Sequence, residues 1–174
     1  MRHETLTVML TDIKGFTTRT ATTTRDEAAK LVHEHERLLR PLIRRFDGNI
    51  VKSIGDAFLV TFRSPTNALL CAQAIQDKLW RYNRSVEKDE RIEVRVAVSL
   101  GEVRVERRDV FGDAVNVASR VESLTPPGEI WFTQTAYLAM NRQEVAIEDL
   151  GKRELKGVPD QVRLYRVQPQ TKGD

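Results

Sequence analysis

Two carboxylates, Asp12 and Asp56, stand where folding could bring them together. Asp12 follows the apolar run at 6–10, at what reads as the end of a buried strand. Asp56 lies in the Gly55-Asp56 tip of residues 49–62, two runs rich in β-branched and aromatic residues that read as a β-hairpin. If hairpin and strand are neighbours, the carboxylates meet at one edge of a sheet. Paired carboxylates there can hold divalent metal ions, which in turn hold a phosphate chain. Taken alone, Gly55-Asp56 is equally well simple turn chemistry. Asp12 and the residues downstream tip the reading towards metal, because a carboxylate ending a buried strand needs a partner.

Farther on, Asn116 and Arg120 are four apart in a helical pattern and share one helix face. Lys52 lies in the first run of the hairpin, Asp109 follows Arg107-Arg108, and Lys156 precedes Gly157. Each has an ordinary reading. Arg120 and Lys156 suit a solvated surface, and Asn116 suits a hydrogen bond on the helix. Lys52 can point to water, and Asp109 can pair with its arginine neighbours.

The elements that must position these residues follow from patterning. Residues 5–10 read as a strand. Thr24 and Glu27 have capping-box spacing and open a long helix, with Leu31, His35, Leu38, Leu39, Leu42 and Phe46 on one face. Pro41 should kink that helix or end its regular part, and Asp47-Gly48 stops it. The hairpin comes next. Ile50, Lys52 and Ile54 are expected on one face of its first run, and Phe58, Val60 and Phe62 on one face of its second. Ser64-Pro65 opens a second helix that buries Ala68, Leu69, Ala72, Ile75 and Leu79. Residues 92–99 alternate as a strand with one buried face, and 103–106 read as a separate short strand. The order is β-α-β-β-α-β, so the expected class is α+β with a ferredoxin-like core and a C-terminal α/β extension. In the extension, 113–124 read as a helix with Val117 and Val121 inward. Strands are expected at 129–132, 145–150, 153–155 and 162–167, and a short helix at 133–140. Residues 1–167 form one domain, and 168–174 are expected to be a disordered tail.

Composition narrows the function classes. The chain has 174 residues, 40% of them apolar and 30% charged, enough for one soluble domain with a full core. The net charge of +3 comes from 28 basic and 25 acidic residues with interspersed signs. No basic stripe argues for nucleic acid. The one cysteine, Cys71, falls in a helical pattern, which fits a buried apolar role in a reducing compartment. The three histidines lack zinc-ligand spacing. No signal peptide precedes Leu6, and no apolar run approaches the roughly 18 residues of a membrane span. The expected location is cytoplasmic, without direct membrane contact from this segment. A strand beginning almost at residue 1 suggests a minimal protein or a domain cut from a longer one, with a regulatory domain attached.

Four segments in order carry a family resemblance: residues 10–17 (LTDIKGFT), 51–58 (VKSIGDAF), 109–120 (DVFGDAVNVASR) and 155–157 (LKG). Together the chain resembles the catalytic domain of class III nucleotidyl cyclases, bacterial type with a short arm, over about residues 5–167. The resemblance implies two divalent metal ions, Mg²⁺ or Mn²⁺, on Asp12, Asp56 and the Ile13 carbonyl. Backbone N–H groups of Lys14, Gly15, Phe16 and Thr17 would cradle the β- and γ-phosphates. Asn116 would orient the ribose, Arg120 would neutralise charge building on the transferring phosphate, and Lys156 would meet the terminal phosphates. Lys52 and Asp109 match the positions that read the base. Adenine offers an acceptor at N1 and a donor at its 6-amino group, which a Lys ammonium and an Asp carboxylate satisfy; guanine reverses the pattern. In the family the site lies between two domains placed head to tail, so a homodimer with two shared sites is implied.

The expected function is therefore an adenylate cyclase turning ATP into 3′,5′-cyclic AMP and pyrophosphate. The rivals are a guanylate cyclase and a non-catalytic cyclase-homology module for regulation or dimerisation. A diguanylate cyclase or polymerase-like palm shares the metal hairpin but leaves Asn116, Arg120 and Lys156 without a role. Two departures stand out. Residues 98–102 (VSLGE) replace a frequent segment with His and Gly, and 103–108 is short and charged where many relatives have a longer glycine-bearing arm. The arm leaves the details of dimerisation open.

Overall fold

The computed structural model describes residues 2–15 and 23–169. At its centre is β1 (Arg2–Ile13), which buries Val8 towards one side of the sheet and Met9 towards the other. It pairs antiparallel with β3 (Ala57–Phe62) on one flank and β4 (Val94–Glu106) on the other. The edge beyond β3 is β2 (Asn49–Ile54). Past β4 the sheet continues through β6 (Ile130–Thr133), β8 (Val162–Val167) and β7 (Ile147–Arg153), while β5 (Asp109–Phe111) folds back on the far end of β4. The order β2-β3-β1-β4 is that of a ferredoxin-like βαββαβ core, and the eight-stranded α+β sheet is the architecture expected.

The helices follow from their caps and apolar faces. In α1 (Arg25–Arg45), Thr24 Oγ1 accepts from the Glu27 N–H at 3.1 Å. In α2 (Pro65–Arg84), Ser64 Oγ accepts from the Asn67 N–H at 3.1 Å, with Pro65 in the first turn. Both lie on one side of the sheet with the short α4 (Gln134–Ala139). They enclose the largest core, in which Phe58, Phe132, Leu39, Ile43, Leu69 and Ile75 are inaccessible or nearly so. Each such side chain contributes about 1.5–3 kcal/mol relative to exposure. Among the described residues, the helix on the other side is α3 (Asp113–Leu124), packed through Ala114, Val117, Ala118 and Val121. Gly112, at φ 140°, turns the chain from β5 into α3; a Cβ there would stand 3.0 Å from the Glu102 carbonyl oxygen.

Several expectations need correction. Asp12 lies inside β1, not past its end, because β4 extends the ladder to Ile13. Residues 94–106 are one strand, buried on both sides near its start since α3 covers Ala97. Residues 147–153 are likewise one strand with an irregularity near Gly151. Helix α1 runs past Pro41 to Arg45. A β-bulge between Ile50 and Lys52 breaks the simple alternation of β2. Ile50 registers with Val60, whereas Lys52 registers with Leu59, so the two lie on opposite sides of the sheet. The expected tail falls mostly on residues 170–174, outside the described residues.

Helix α1 ends in a Schellman turn: Gly48 N–H donates to the Ile43 carbonyl at 2.9 Å, and Asp47 N–H to that of Arg44 at 3.1 Å. Its left-handed residue is Asp47, at φ 63°, not the glycine. Gly48 is needed for space, since a Cβ there would lie 2.8 Å from Ile43 Cγ2 and from Phe62 Cζ. Two neighbouring substitutions should therefore move stability in opposite directions. Asp47→Gly relieves a strained backbone and should gain up to about 1 kcal/mol, whereas Gly48→Ala overpacks the core and should cost about 1–3 kcal/mol. Urea unfolding midpoints of the two variants check both signs.

Candidate active site

The C-terminal end of β1 gathers acid. Because β1 and β3 are neighbours, the hairpin tip comes back to the strand end, and the Ile13 N–H donates to Asp56 Oδ2 at 3.0 Å. Asp12 faces Arg95 across the β1–β4 ladder. The Arg95 guanidinium forks onto it, with Nε 3.0 Å from Oδ1 and Nη2 2.9 Å from Oδ2. The same Nη2 lies 2.9 Å from Glu122 Oε1 on α3, an ion pair out of line for a hydrogen bond. Asp12 and Glu122 thus share one guanidinium, with the Asp56 carboxylate near enough to add to its field.

The titration behaviour shows the strain. Burial, then the neighbouring Asp12 carboxylate, pushes Glu122 up to about 7, with Arg95 opposing. Burial also raises Asp56, opposed by backbone N–H donors and reinforced by Asp12. Hydrogen bonding to Asp12 holds the Arg95 guanidinium above its ordinary value. An anionic pocket of this kind suits a divalent cation. Among the described residues no three His, Cys, Asp or Glu side chains are grouped to enclose a metal alone. Two carboxylates with the remaining positions open to phosphate oxygens and water is the pattern of Mg²⁺ sites.

A second cluster lies at the other side of the hairpin. The bulge in β2 turns Lys52 towards β5, where its Nζ stands 3.0 Å from Asp109 Oδ1 and 3.1 Å from Oδ2. Asp109 Oδ1 also accepts from the Val110 N–H at 2.8 Å. The Lys52 hydrogen bond holds the Asp109 carboxyl below the usual range. A donor and an acceptor stand side by side, both partly exposed and with bonding capacity to spare.

The remaining predicted residues are not brought to the carboxylates. Asn116 and Arg120 lie on the exposed side of α3, and Lys156 is exposed in the turn between β7 and β8. Among the described residues no side chain bonds to any of the three. Glu122, which meets Arg95, is two residues from Arg120, about 200° around the helix. Arg120 therefore points away from this chain's own Asp12. Gly15 is an exposed turn residue at φ 67°, while Phe16 and Thr17 lie outside the described residues. The Lys14 N–H already donates to the Glu93 carbonyl at 2.7 Å, which removes it from the expected phosphate cradle.

Pattern reading missed Arg95 and Glu122. Arg95 sits at an outward position of an alternating strand and Glu122 beside an apolar helix stripe, both ordinary surface signals. Only the Asp12↔Arg95 register reveals them. His35, noted only as a helix-face residue, packs under the site. Its ring stacks on Phe58 at 5.0 Å, and neither ring nitrogen has a partner among the described residues.

Comparison with known proteins follows the same line. The family model described as the adenylate and guanylate cyclase catalytic domain matches residues 1–169. The chain is 43% identical over 173 residues to a serine/threonine-protein kinase, pkn2, of Myxococcus xanthus, covering 99% of this chain and 21% of that protein. It resembles the solved adenylate/guanylate cyclase/hydrolase of Silicibacter pomeroyi at 28% identity and TM-score 0.82, covering 98% of this chain and 100% of the other. It also resembles the adenylate cyclases of Trypanosoma brucei solved in their monomeric state, at 26% identity and TM-score 0.79, covering 94% and 89%. The chain spans between 17% and 29% of the length of the first curated relatives it matches.

The buried histidine makes the hairpin sensitive to acid. Burial pushes His35 down from 6.5 to about 4, partly offset by the charge of Asp12. The folded state then binds the proton more weakly than the unfolded state, so its contribution is full above about pH 6.5 and is lost as pH falls towards 4. The whole loss is about 3 kcal/mol. Glu122 runs the other way, with stability declining as pH rises from 4.5 through about 7. Unfolding free energies of wild type and His35→Leu between pH 4 and 7.5 should diverge, the variant losing less on acidification.

Proposed function

The chain belongs to the family of adenylate and guanylate cyclase catalytic domains, and on that footing we propose that it converts ATP into 3′,5′-cyclic AMP and pyrophosphate as a head-to-tail homodimer. The catalytic domain is read as residues 1–167, a module of a longer, regulated protein, with 168–174 as its tail. No described helix is long and apolar enough to cross a membrane. A cytoplasmic setting suits the single buried cysteine.

The observation that carries the choice of ATP is the Lys52–Asp109 pair, 3.0 Å apart. The family includes cyclases for both nucleotides, so the fold does not decide between them. A base wedged at this pair meets an ammonium that donates to adenine N1 and a carboxylate that accepts from the 6-amino group. Guanine would set its N1–H against the ammonium and its O6 against the carboxylate. A site built on such bonds rejects the wrong base strongly, because buried polar groups are left unpaired.

Asp12, Asp56 and the Ile13 carbonyl fit as ligands for divalent cations, Mg²⁺ or Mn²⁺. Such ions, when bound, supply Lewis-acid activation of the ribose 3′-hydroxyl and of the α-phosphate. The protein's own residues do the positioning. Amides of residues 15–17 cradle the β- and γ-phosphates, and Lys156 meets their charge. Asn116 holds the ribose so that its 3′-oxygen lies in line with the α-phosphorus. Arg120 stabilises charge that grows on the phosphate as the bond to pyrophosphate breaks. The division between two copies is supported by helix α3, which aims Glu122 at the carboxylates of its own chain and Arg120 away from them. A phosphate reached by Arg120 is then one held by Asp12 and Asp56 of the other copy.

Three measurements test this reading. Asp12→Ala and Asp56→Ala should each abolish Mn²⁺-supported cyclic AMP formation while the variants remain folded by circular dichroism; substantial turnover in both removes the metal assignment. Asp56→Ala and Arg120→Ala homodimers should be inactive alone and regain activity when mixed, because the heterodimer has one intact site. No recovery despite subunit exchange would place the site within one chain. In Lys52→Glu/Asp109→Cys, the kcat/KM ratio for ATP over GTP should fall by at least tenfold. An unchanged ratio would mean that the pair does not read the base and would favour a guanylate cyclase or a non-catalytic module.

A further inference from the structure

Arg95 has no role in the mechanism above, yet it holds the residue on which that mechanism turns. Its guanidinium engages both oxygens of Asp12, at 3.0 and 2.9 Å, and reaches Glu122 at 2.9 Å with the same Nη2. This is not a loose surface pair. The side chains of Asp12, Arg95 and Glu122 keep only 19%, 29% and 16% of their exposure. Both ends are anchored: Asp12 and Arg95 are cross-strand partners, and Glu122 follows Val121, which is fully buried beneath α3.

We propose that Arg95 is a built-in competitor for the cation at Asp12: it supplies the positive charge while no cation is bound, and a cation enters only as the guanidinium gives up Asp12 and is retained by Glu122. The inference rests on reading Asp12 and Asp56 as cation ligands. Two constraints support it. A fork across both carboxylate oxygens uses the lone pairs facing it, and those oxygens are what the cation needs. A guanidinium left at that distance from a divalent ion would also repel it, weakly screened in a partly buried site. Glu122 gives the displaced charge somewhere to go. Its Oε1 already lies within ion-pair distance and has no hydrogen-bond donor of its own among the described residues. The exchange then needs only a small shift of one side chain. The Glu122 Oε1, which has no hydrogen-bond donor among the described residues, is explained as the second seat of a two-position arginine.

The test is Mn²⁺ binding without nucleotide, followed by electron paramagnetic resonance of the free ion, with the unfolding midpoint of each variant. Wild type should show a site that Asp12→Asn removes. Arg95→Gln should bind Mn²⁺ at that site about tenfold more tightly. Arg95→Lys keeps the charge but cannot fork, so it should fall between Gln and wild type. Glu122→Gln should weaken binding about threefold, and by less when Arg95 is already Gln. Lys equal to wild type would reduce Arg95 to a through-space charge and overturn the competition. An undiminished Glu122→Gln effect without Arg95 would overturn the second seat. If Arg95→Gln does not fold, Arg95→Lys decides. Wild type without an Asp12-dependent site would sink the cation reading and the competitor together, whereas a site that neither Arg95 variant tightens sinks the competitor alone.

Discussion

Two carboxylates on one guanidinium, with a third carboxylate beside them near the end of a half-buried strand, are the constraint on which this structure turns. Asp12, Asp56 and Glu122 are held close enough to feel one another's charge by the pairing of β1 with β3 and β4 and by the seat of α3. Burial strengthens their repulsion, because water no longer screens it. The protein relieves part of the charge with Arg95 and part by favouring the protonated form of Glu122. The remainder leaves a negative field of the kind the proposed cation would answer. Stability is given up locally for function, as expected where a scaffold holds like charges together.

The rest of the architecture keeps that cluster in place and aims two further groups outward from it. Helices α1, α2 and α4 pack on one side of the sheet, so the hairpin carrying Asp56 is backed by Phe58, Ile43 and His35 rather than by solvent. One bulge in β2 redirects Lys52 across the sheet to Asp109 without moving the hairpin tip. Among the described helices, α3 covers the opposite side. Its pitch sends Glu122 inward to Arg95 and Arg120 outward, so one helix serves two active sites if the domain acts as a dimer. In that case assembly is part of catalysis, since the groups that meet one nucleotide are divided between the two copies.

Much of this was legible in the chain. Caps at Thr24 and Ser64, apolar spacing in the long helices and the hairpin at 49–62 follow from local rules, and local rules were obeyed. The βαββαβ order and the adjacency of Asp12 and Asp56 were readable from motif and pattern. The errors share one origin. Where a strand continues past its expected end, as at 94–106, the cause is a neighbour that goes on offering hydrogen bonds. Where β2 departs from alternation, the cause is a bulge whose need lies 57 residues away at Asp109.

The sequence by itself determined the elements, the family and the residues able to do chemistry, because caps, periodicity and motif spacing are local properties of the chain. Only the tertiary structure decided how those residues are paired and which are kept apart. Arg95 lies 83 residues from Asp12 and becomes its partner through strand register. Glu122 joins them through the seat of a helix, and Arg120 is excluded by that helix's pitch. These are long-range consequences of packing a sheet between helices, and no window of sequence contains them.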